Sequence, residues 1–261
     1  MAIDPNRPCG QCESCVQGQT HFCLVEGPRR AYGVQQHGGC AEWVVVPEDV
    51  VYPLDERLPL GKAVLIEPIS CIIRGMDNLG VVAPDKRVLI QGAGIIGLLW
   101  LSILHHKGLR HLTISDIAEG RRKVATELSL SPPINVVDAA SLIGMHEEYD
   151  VVVDCSGNVG AIENAFQLLK RGGKLSVFSC CPTDAKVIFS PYELYRKELM
   201  IVSSFINPRT FARSIEMVAE MIDSGYLDII KLGIGLFGLE DLKLVLERLK
   251  KGEISKAVFH L

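Results

Sequence analysis

This sequence predicts an α/β fold, a doubly wound parallel sheet joined to a smaller irregular or β-rich segment, on three observations. From Arg87 onward, short apolar runs alternate with segments of helical period. One strand-to-helix junction carries the glycine-rich stretch "GAGIIG", Gly92 to Gly97. Ahead of this region, a segment rich in Gly, Pro and polar residues holds four cysteines between Cys9 and Cys23. The chain has 261 residues, 48% of them hydrophobic and 22% charged, which is enough length and apolar content for two domains with a large core.

The elements follow in order. Residues 1–60 have no sustained helical period; "CAEWVVVP" (Cys40 to Pro47) and "VVYPL" predict short strands in irregular or antiparallel β structure. "AVLIEPISCIIRGMDNLG" has the apolar spacing of a helix or two, with Pro68 near a helix start. "RVLIQG" predicts a strand, Ile95 to His106 a helix, His111 to Asp116 a strand and "EGRRKVATEL" a helix. "INVVDA" and Asp150 to Gly157 predict strands, Val159 to Leu169 a helix, and "KLSVFS" and "LMIVSSF" two more strands. Strands at this spacing with helices between them imply right-handed crossovers and a parallel sheet. Two amphipathic helices follow, one ended by Gly225 and one by Gly252, and the chain runs out on a β-like "KAVFHL".

Charge and cysteine usage narrow the function. A net charge of −4 with no long basic run argues against a nucleic-acid or anionic-membrane surface. Nine cysteines, an odd number without the spacing of a disulfide scaffold, and no signal-peptide pattern, fit a reduced, intracellular, cytoplasmic protein. The uncharged run Val88 to Leu104 falls short of the about 20 apolar residues of a membrane span. It also contains Gln91 and three glycines, which fits a buried strand, turn and helix.

The cysteine pattern is C-x2-C-x2-C-x7-C. Short spacers in turn-forming sequence let one tight loop present several thiolates to one ion, and four thiolates close a structural zinc site. Cys9, Cys12, Cys15 and Cys23 are the expected ligands. An iron–sulfur run of this opening continues x3-C-P; here the gap is seven and Leu24 follows Cys23. A nucleic-acid zinc ribbon sits poorly with the acidic balance, and four free surface thiols this close would be unusual.

In "GAGIIG", Gly92 permits a tight turn, Gly94 lets backbone approach a pyrophosphate, and Gly97 lets helix pack on strand, while Ile95 and Ile96 open the helix whose N–H groups face the phosphates. The motif alone is weak. It gains force from Asp116, which ends the next strand nineteen residues after Gly97, where a carboxylate accepts hydrogen bonds from ribose hydroxyls and repels a 2′-phosphate. This predicts a Rossmann domain binding NAD. Arg121 and Arg122 leave NADP open, since either could pair with a 2′-phosphate or cover the adenine.

Taken with "GGCAEWVVVP" and "IEPIS", the two motifs resemble the zinc-dependent medium-chain dehydrogenases over essentially the whole chain, most closely the polyol, threonine and secondary-alcohol branch. The resemblance implies a partial GroES-like β domain with a structural zinc lobe over residues 1–66, a Rossmann NAD-binding domain over 67–206, and a C-terminal return to the first domain over 207–261. It places Glu67 beside a catalytic zinc, as ligand or through its water, and puts Cys155 and Phe178 at strand ends lining the nicotinamide side. It implies a small-molecule alcohol or polyol as substrate and a homo-oligomer, dimer or tetramer.

One departure stands out. The family carries a Cys ligand, a Gly-His-Glu segment with the His ligand and the start of a proton relay upstream of its zinc lobe, and this sequence opens at "MAIDPNRPCG". Glu67 is the one group of the direct chemical set that it contains. "MHEEYD" reads as solvated surface, and His21, His37, His105, His106, His111 and His260 have no ligand-like spacing. The expectation is therefore a truncated form of an NAD-dependent alcohol or polyol dehydrogenase with impaired activity. The alternative is a non-catalytic NAD- and zinc-binding protein that pairs with full-length subunits.

Overall fold

The computed structural model describes residues 1–56 and 58–260. Its centre is a six-stranded sheet made of β3 (Arg87–Gln91), β4 (His111–Asp116), β5 (Asn135–Asp138), β6 (Tyr149–Asp154), β7 (Leu169–Val177) and β8 (Met200–Ser203). The spatial order is β5-β4-β3-β6-β7-β8 and every neighbouring pair is parallel. The order reverses between β3 and β6, the topological switch point at which open α/β sheets place their ligands.

These strands form because they are buried on both faces. In β3, Val88, Leu89 and Ile90 are all inaccessible to solvent, as are Val152 and Val153 in β6. Such continuous apolar runs are characteristic of parallel sheets covered by crossover helices. The covering helices are α4 (Ile95–His106), α5 (Glu119–Glu127), α6 (Val159–Leu168) and α7 (Pro191–Lys197). Helix α4 is buried almost all round, from Gly97 to His105, and holds the fully buried Trp100. Each such side chain contributes about 1.5–3 kcal/mol on burial. Helix α7 has a clear sequence cause that the apolar pattern did not reveal: Ser190 accepts a hydrogen bond from the Glu193 N–H, and Pro191 starts the helix.

The stretch from Leu60 forms α2 (Leu60–Ala63) and α3 (Ile66–Leu79), with Pro68 in the first turn of α3 and Gly80 ending it at a positive φ of 75°. Helix α3 packs on α8 (Phe211–Asp223), whose buried face is Phe211, Ser214, Val218 and Met221. The chain ends in β9 (Ile234–Gly238), α9 (Leu242–Lys251) and β10 (Lys256–His260), with β9 and β10 paired in parallel.

The first 52 residues contain little regular structure. Strands β1 (Ala2–Ile3) and β2 (Val51–Tyr52) form a two-residue antiparallel pair, and α1 (Glu13–Val16) is a single turn. The strand expected over Cys40 to Pro47 does not form. That stretch has no ladder partner among the described residues, and Trp43 and Val45 are 88% and 94% exposed. An extended segment becomes a strand only when another backbone satisfies its N–H and C=O groups.

Candidate functional site

The four cysteines converge. Helix α1 sets Cys12, at its N-terminal cap, and Cys15 on one face, three residues apart. Gly10 and Gly18 take left-handed conformations on either side. The sulfurs all lie within 4.8 Å of one another, with Cys9–Cys15 at 3.9 Å and Cys12–Cys15 at 3.4 Å. Sulfurs about 2.3 Å from one tetrahedral ion would be about 3.8 Å apart, so the donor set fits zinc. Burial pushes the Cys15 thiol up to about 12. Burial also opposes ionisation of Cys23, but N–H groups of Cys9, Glu26 and Val25 outweigh it and lower that thiol to about 6. An all-thiol set with no competing oxygen ligand is the chemistry of a closed structural site.

At the switch point, Gly92 and Gly94 line a cleft of about 550 Å³ together with Asp116, Arg121, Cys155 and Ser156. The glycines are required by close approach. A Cβ at Gly97 would overlap the Gly92 carbonyl oxygen, and one at Gly92, where φ is +101°, would lie 2.9 Å from the Cys155 carbonyl oxygen. Helix α4 begins at Gly94 with no side-chain cap, so its first N–H groups are free to meet an anion. The residues present therefore suit a dinucleotide.

Asp116 is buried at the end of β4. Its Oδ2 accepts from the Ala93 N–H and its Oδ1 from the Ala118 N–H, both at 2.8 Å. The two arginines, equivalent in sequence, differ here. Arg122 is bound into the framework, donating to the Asp116 and Ile117 carbonyls and pairing with Asp138 at 3.0 Å. Arg121 is half-exposed at the cleft, 3.6 Å from Asp116. Any attraction for a 2′-phosphate therefore rests on Arg121.

The other expected residues lie as follows. Cys155 lines the cleft and its N–H donates to the Gln91 carbonyl. Ile95 and Ile96 sit in the first turn of α4 and pack against the core. Phe178 packs edge-on against Trp100, 5.3 Å between centroids, beside Gly75. Glu67 lies in the first turn of α3, where Cys71 donates to it at 3.5 Å and burial pushes the Cys71 thiol up. Among the described residues, the four-cysteine group is the one set of three or more His, Cys, Asp or Glu donors close enough to share an ion. No second group of that size forms around Glu67 among the described residues. Ser156, Asn158 and Asn164 also line the cleft. "DCSGN" is the signal for Ser156 and Asn158 and needs the β3–β6 adjacency to be read, while Asn164 follows on α6.

Residues 1–59 match the alcohol dehydrogenase GroES-like domain, and residues 96–220 match the zinc-binding dehydrogenase family. The chain is 33% identical over 222 residues to D-altritol 5-dehydrogenase of Agrobacterium fabrum, a match over 84% of this chain and 64% of that enzyme, less than two thirds of its length. It is 28% identical to L-threonine 3-dehydrogenase of Aeromonas salmonicida, over 96% of this chain and 72% of the relative. A solved zinc-binding dehydrogenase of Sinorhizobium meliloti, bound to NADP, superposes with a TM-score of 0.83 at 27% identity, covering 94% of this chain and 71% of that one. No helix among the described residues is long and apolar enough to cross a membrane. With the thiol cluster, the glycine turn at the switch point and both matched regions in one chain, this protein belongs to the zinc-dependent medium-chain dehydrogenase family.

Proposed function

We propose that the chain binds NAD(H) in the cleft at Gly92–Gly97 and zinc at Cys9, Cys12, Cys15 and Cys23, as part of a cytoplasmic oxidoreductase acting on a secondary alcohol or polyol. The observation that carries this reading is Asp116, a buried carboxylate tied to the Ala93 N–H inside the glycine turn, lining a dinucleotide-sized cleft. NAD, when bound, supplies the acceptor for hydride from the carbinol carbon. The chain's own groups bind and orient it. The N–H groups at the start of α4 meet the pyrophosphate, and Asp116 accepts from the adenosine ribose. The thiol cluster holds the lobe of residues 1–52 in shape. The exposed Met200 and Ile201 on the edge strand β8 suit a homo-oligomeric contact.

A second reading is favoured by Glu67. With Cys71 as its thiol neighbour and no triad of metal donors around it, the described residues do not assemble a centre that would stabilise an alkoxide. These 261 residues on their own would then bind cofactor and zinc with little turnover, and pair with subunits that carry the full set.

The test is NADH and NADPH binding by titration calorimetry, with NAD reduction assayed against polyols and secondary alcohols. NADH is expected to bind more tightly than NADPH, and Asp116→Ala to lose about 1.5–3 kcal/mol per ribose hydrogen bond. Gly97→Ala, whose Cβ meets backbone, is expected to abolish binding. NADPH binding as tight as NADH would overturn the role of Asp116. Zinc-dependent turnover by the chain alone, on the order of 1 per second or more, would overturn the second reading.

A further inference from the structure

Asp154, the last residue of β6, is fully buried, and among the described residues no ion pair reaches it; Lys86 and Lys170 pair with Asp150 at the other end of the strand. A buried carboxylate without a counter-charge is expensive unless donors surround it. Here they do. Oδ1 accepts from the Ser156 N–H at 3.0 Å and the Ser156 hydroxyl at 2.6 Å; Oδ2 accepts from the Gly157 N–H at 3.4 Å and from the Ser179 hydroxyl. The Asp154 carbonyl also accepts from the Phe178 and Ser179 N–H groups. A strand end that needed only burial could carry Val, as Val151 to Val153 do just before it.

Two loops are joined by this one side chain. Ser156 belongs to the turn after β6 and Ser179 to the turn after β7. Ser156 passes the constraint on: its Oγ accepts from the Asn158 N–H at 3.1 Å, and Asn158 caps α6 by accepting from the Ala161 N–H at 3.1 Å. Ser156 and Asn158 both line the cleft that the glycine turn lines, and the Ser156 nitrogen stands beside Gly92, 3.1 Å from where a Cβ there would lie. We propose that Asp154 is a positioning residue for the cofactor: its carboxylate clamps the β6 and β7 turns so that the wall formed by Ser156 and Asn158 stands at the right distance from Gly92–Gly94.

This inference rests on the cleft's binding NAD(H), and its test separates the two. NADH affinity is measured by fluorescence for the unmodified chain, Asp154→Asn, Ser156→Ala, Ser179→Ala and their combinations, with the thermal midpoint of each as a folding control. Asp154→Asn, which turns an N–H₂ towards the serine and glycine donors, is expected to raise the Kd about tenfold or more, and each serine variant to raise it less. A residue acting through its partners gives non-additive effects. In the Ser156→Ala/Ser179→Ala background, Asp154→Asn should therefore add clearly less than it does alone. An unchanged Kd, or fully additive effects that track only the thermal midpoint, would overturn the proposal. Should Asp154→Asn not fold, the double serine variant decides, since it must weaken NADH binding while remaining folded. No NADH binding by the unmodified chain would instead bring down the functional reading itself, and this one with it.

Discussion

The lobe of residues 1–52 and the sheet of residues 87–203 are held together by opposite means. In the sheet, consecutive side chains such as Val88, Leu89 and Ile90 are inaccessible to solvent, and neighbouring strands satisfy each other's backbone. In the lobe, paired strands are two residues long, and Trp43, Val45 and Val34 stand exposed. What converges there is four sulfurs. With zinc bound at these thiols as proposed, metal coordination would stand in for a core, the usual solution where a segment is too small to bury enough apolar surface. The same chain therefore has one region whose fold is fixed by apolar patterning and one whose fold, on the proposed zinc binding, would depend on an ion.

The largest effect that could break this comparison is removal of the metal. Zinc at a closed thiolate site contributes on the order of 10 kcal/mol to the folding of small domains. Chelation, or Cys12→Ser, should release the zinc and leave backbone amides around residues 9–27 open to hydrogen exchange, while amides of β3, β4 and β6 remain protected. Measurement is by metal analysis and exchange mass spectrometry. Equal loss of protection in lobe and sheet would show that the two unfold as one unit, and iron in place of zinc would overturn the metal assignment.

Smaller substitutions sharpen the contrast. Ile90→Ala, at a fully buried position between β4 and β6, should cost about 2–5 kcal/mol, because the sheet cannot close over the cavity. Val45→Ala, at a 94% exposed position, should change stability by less than about 0.5 kcal/mol. Denaturant midpoints decide both. A cost above about 1 kcal/mol for Val45→Ala would mean that a second subunit covers this surface in solution.

The same contrast explains what could be read before the structure. Helix Ile95–His106 and strand His111–Asp116 have the bounds that the sequence predicts, because in a doubly covered sheet local apolar pattern and final burial coincide. Cys40 to Pro47 has an equally strand-like composition, yet whether it becomes a strand depends on a pairing partner that local pattern cannot report. Strand β9, "IGLFG", is weakened as a signal by its glycines and exists through pairing with β10. At the site, Gly92, Gly94 and Asp116 were legible because one short motif spans them. Ser156 and Asn158 become cleft residues, and Asp154 the buried carboxylate behind them, only when β6 lies beside β3, across an interval of more than 60 residues. Nor could the sequence separate Arg121 from Arg122; the pairing of Arg122 with Asp138 on β5 does so.

The smallest expected effect concerns a polar link inside the otherwise apolar region. His105, at the end of α4, is fully buried. Its Nε2 is 3.0 Å from the Pro132 carbonyl, which can only accept, so Nε2 carries the proton and Nδ1 accepts from the Tyr226 hydroxyl at 2.9 Å. Burial holds the His105 pKa below its ordinary value despite the Pro132 bond, and nearby Arg110 lowers it further. The groups facing it are Arg110, Tyr226 and the neighbouring His106, which pairs with Glu220. Because the folded state resists protonation that the unfolded state accepts, stability is complete above the unfolded pKa of about 6.5 and falls as pH drops below it. One such proton sets a slope of at most about 1.4 kcal/mol per pH unit. His21 shifts in the same direction through burial, so it contributes a second share from within the lobe. His105→Gln keeps one donor and one acceptor without the titration. It should leave stability at pH 8 nearly unchanged and flatten the loss between pH 6.5 and 5. Zinc-saturated chain, unfolded by urea across that range, provides the measurement; a slope unaltered by His105→Gln would place the acid sensitivity in the lobe, at His21, and reverse which region yields first to acid.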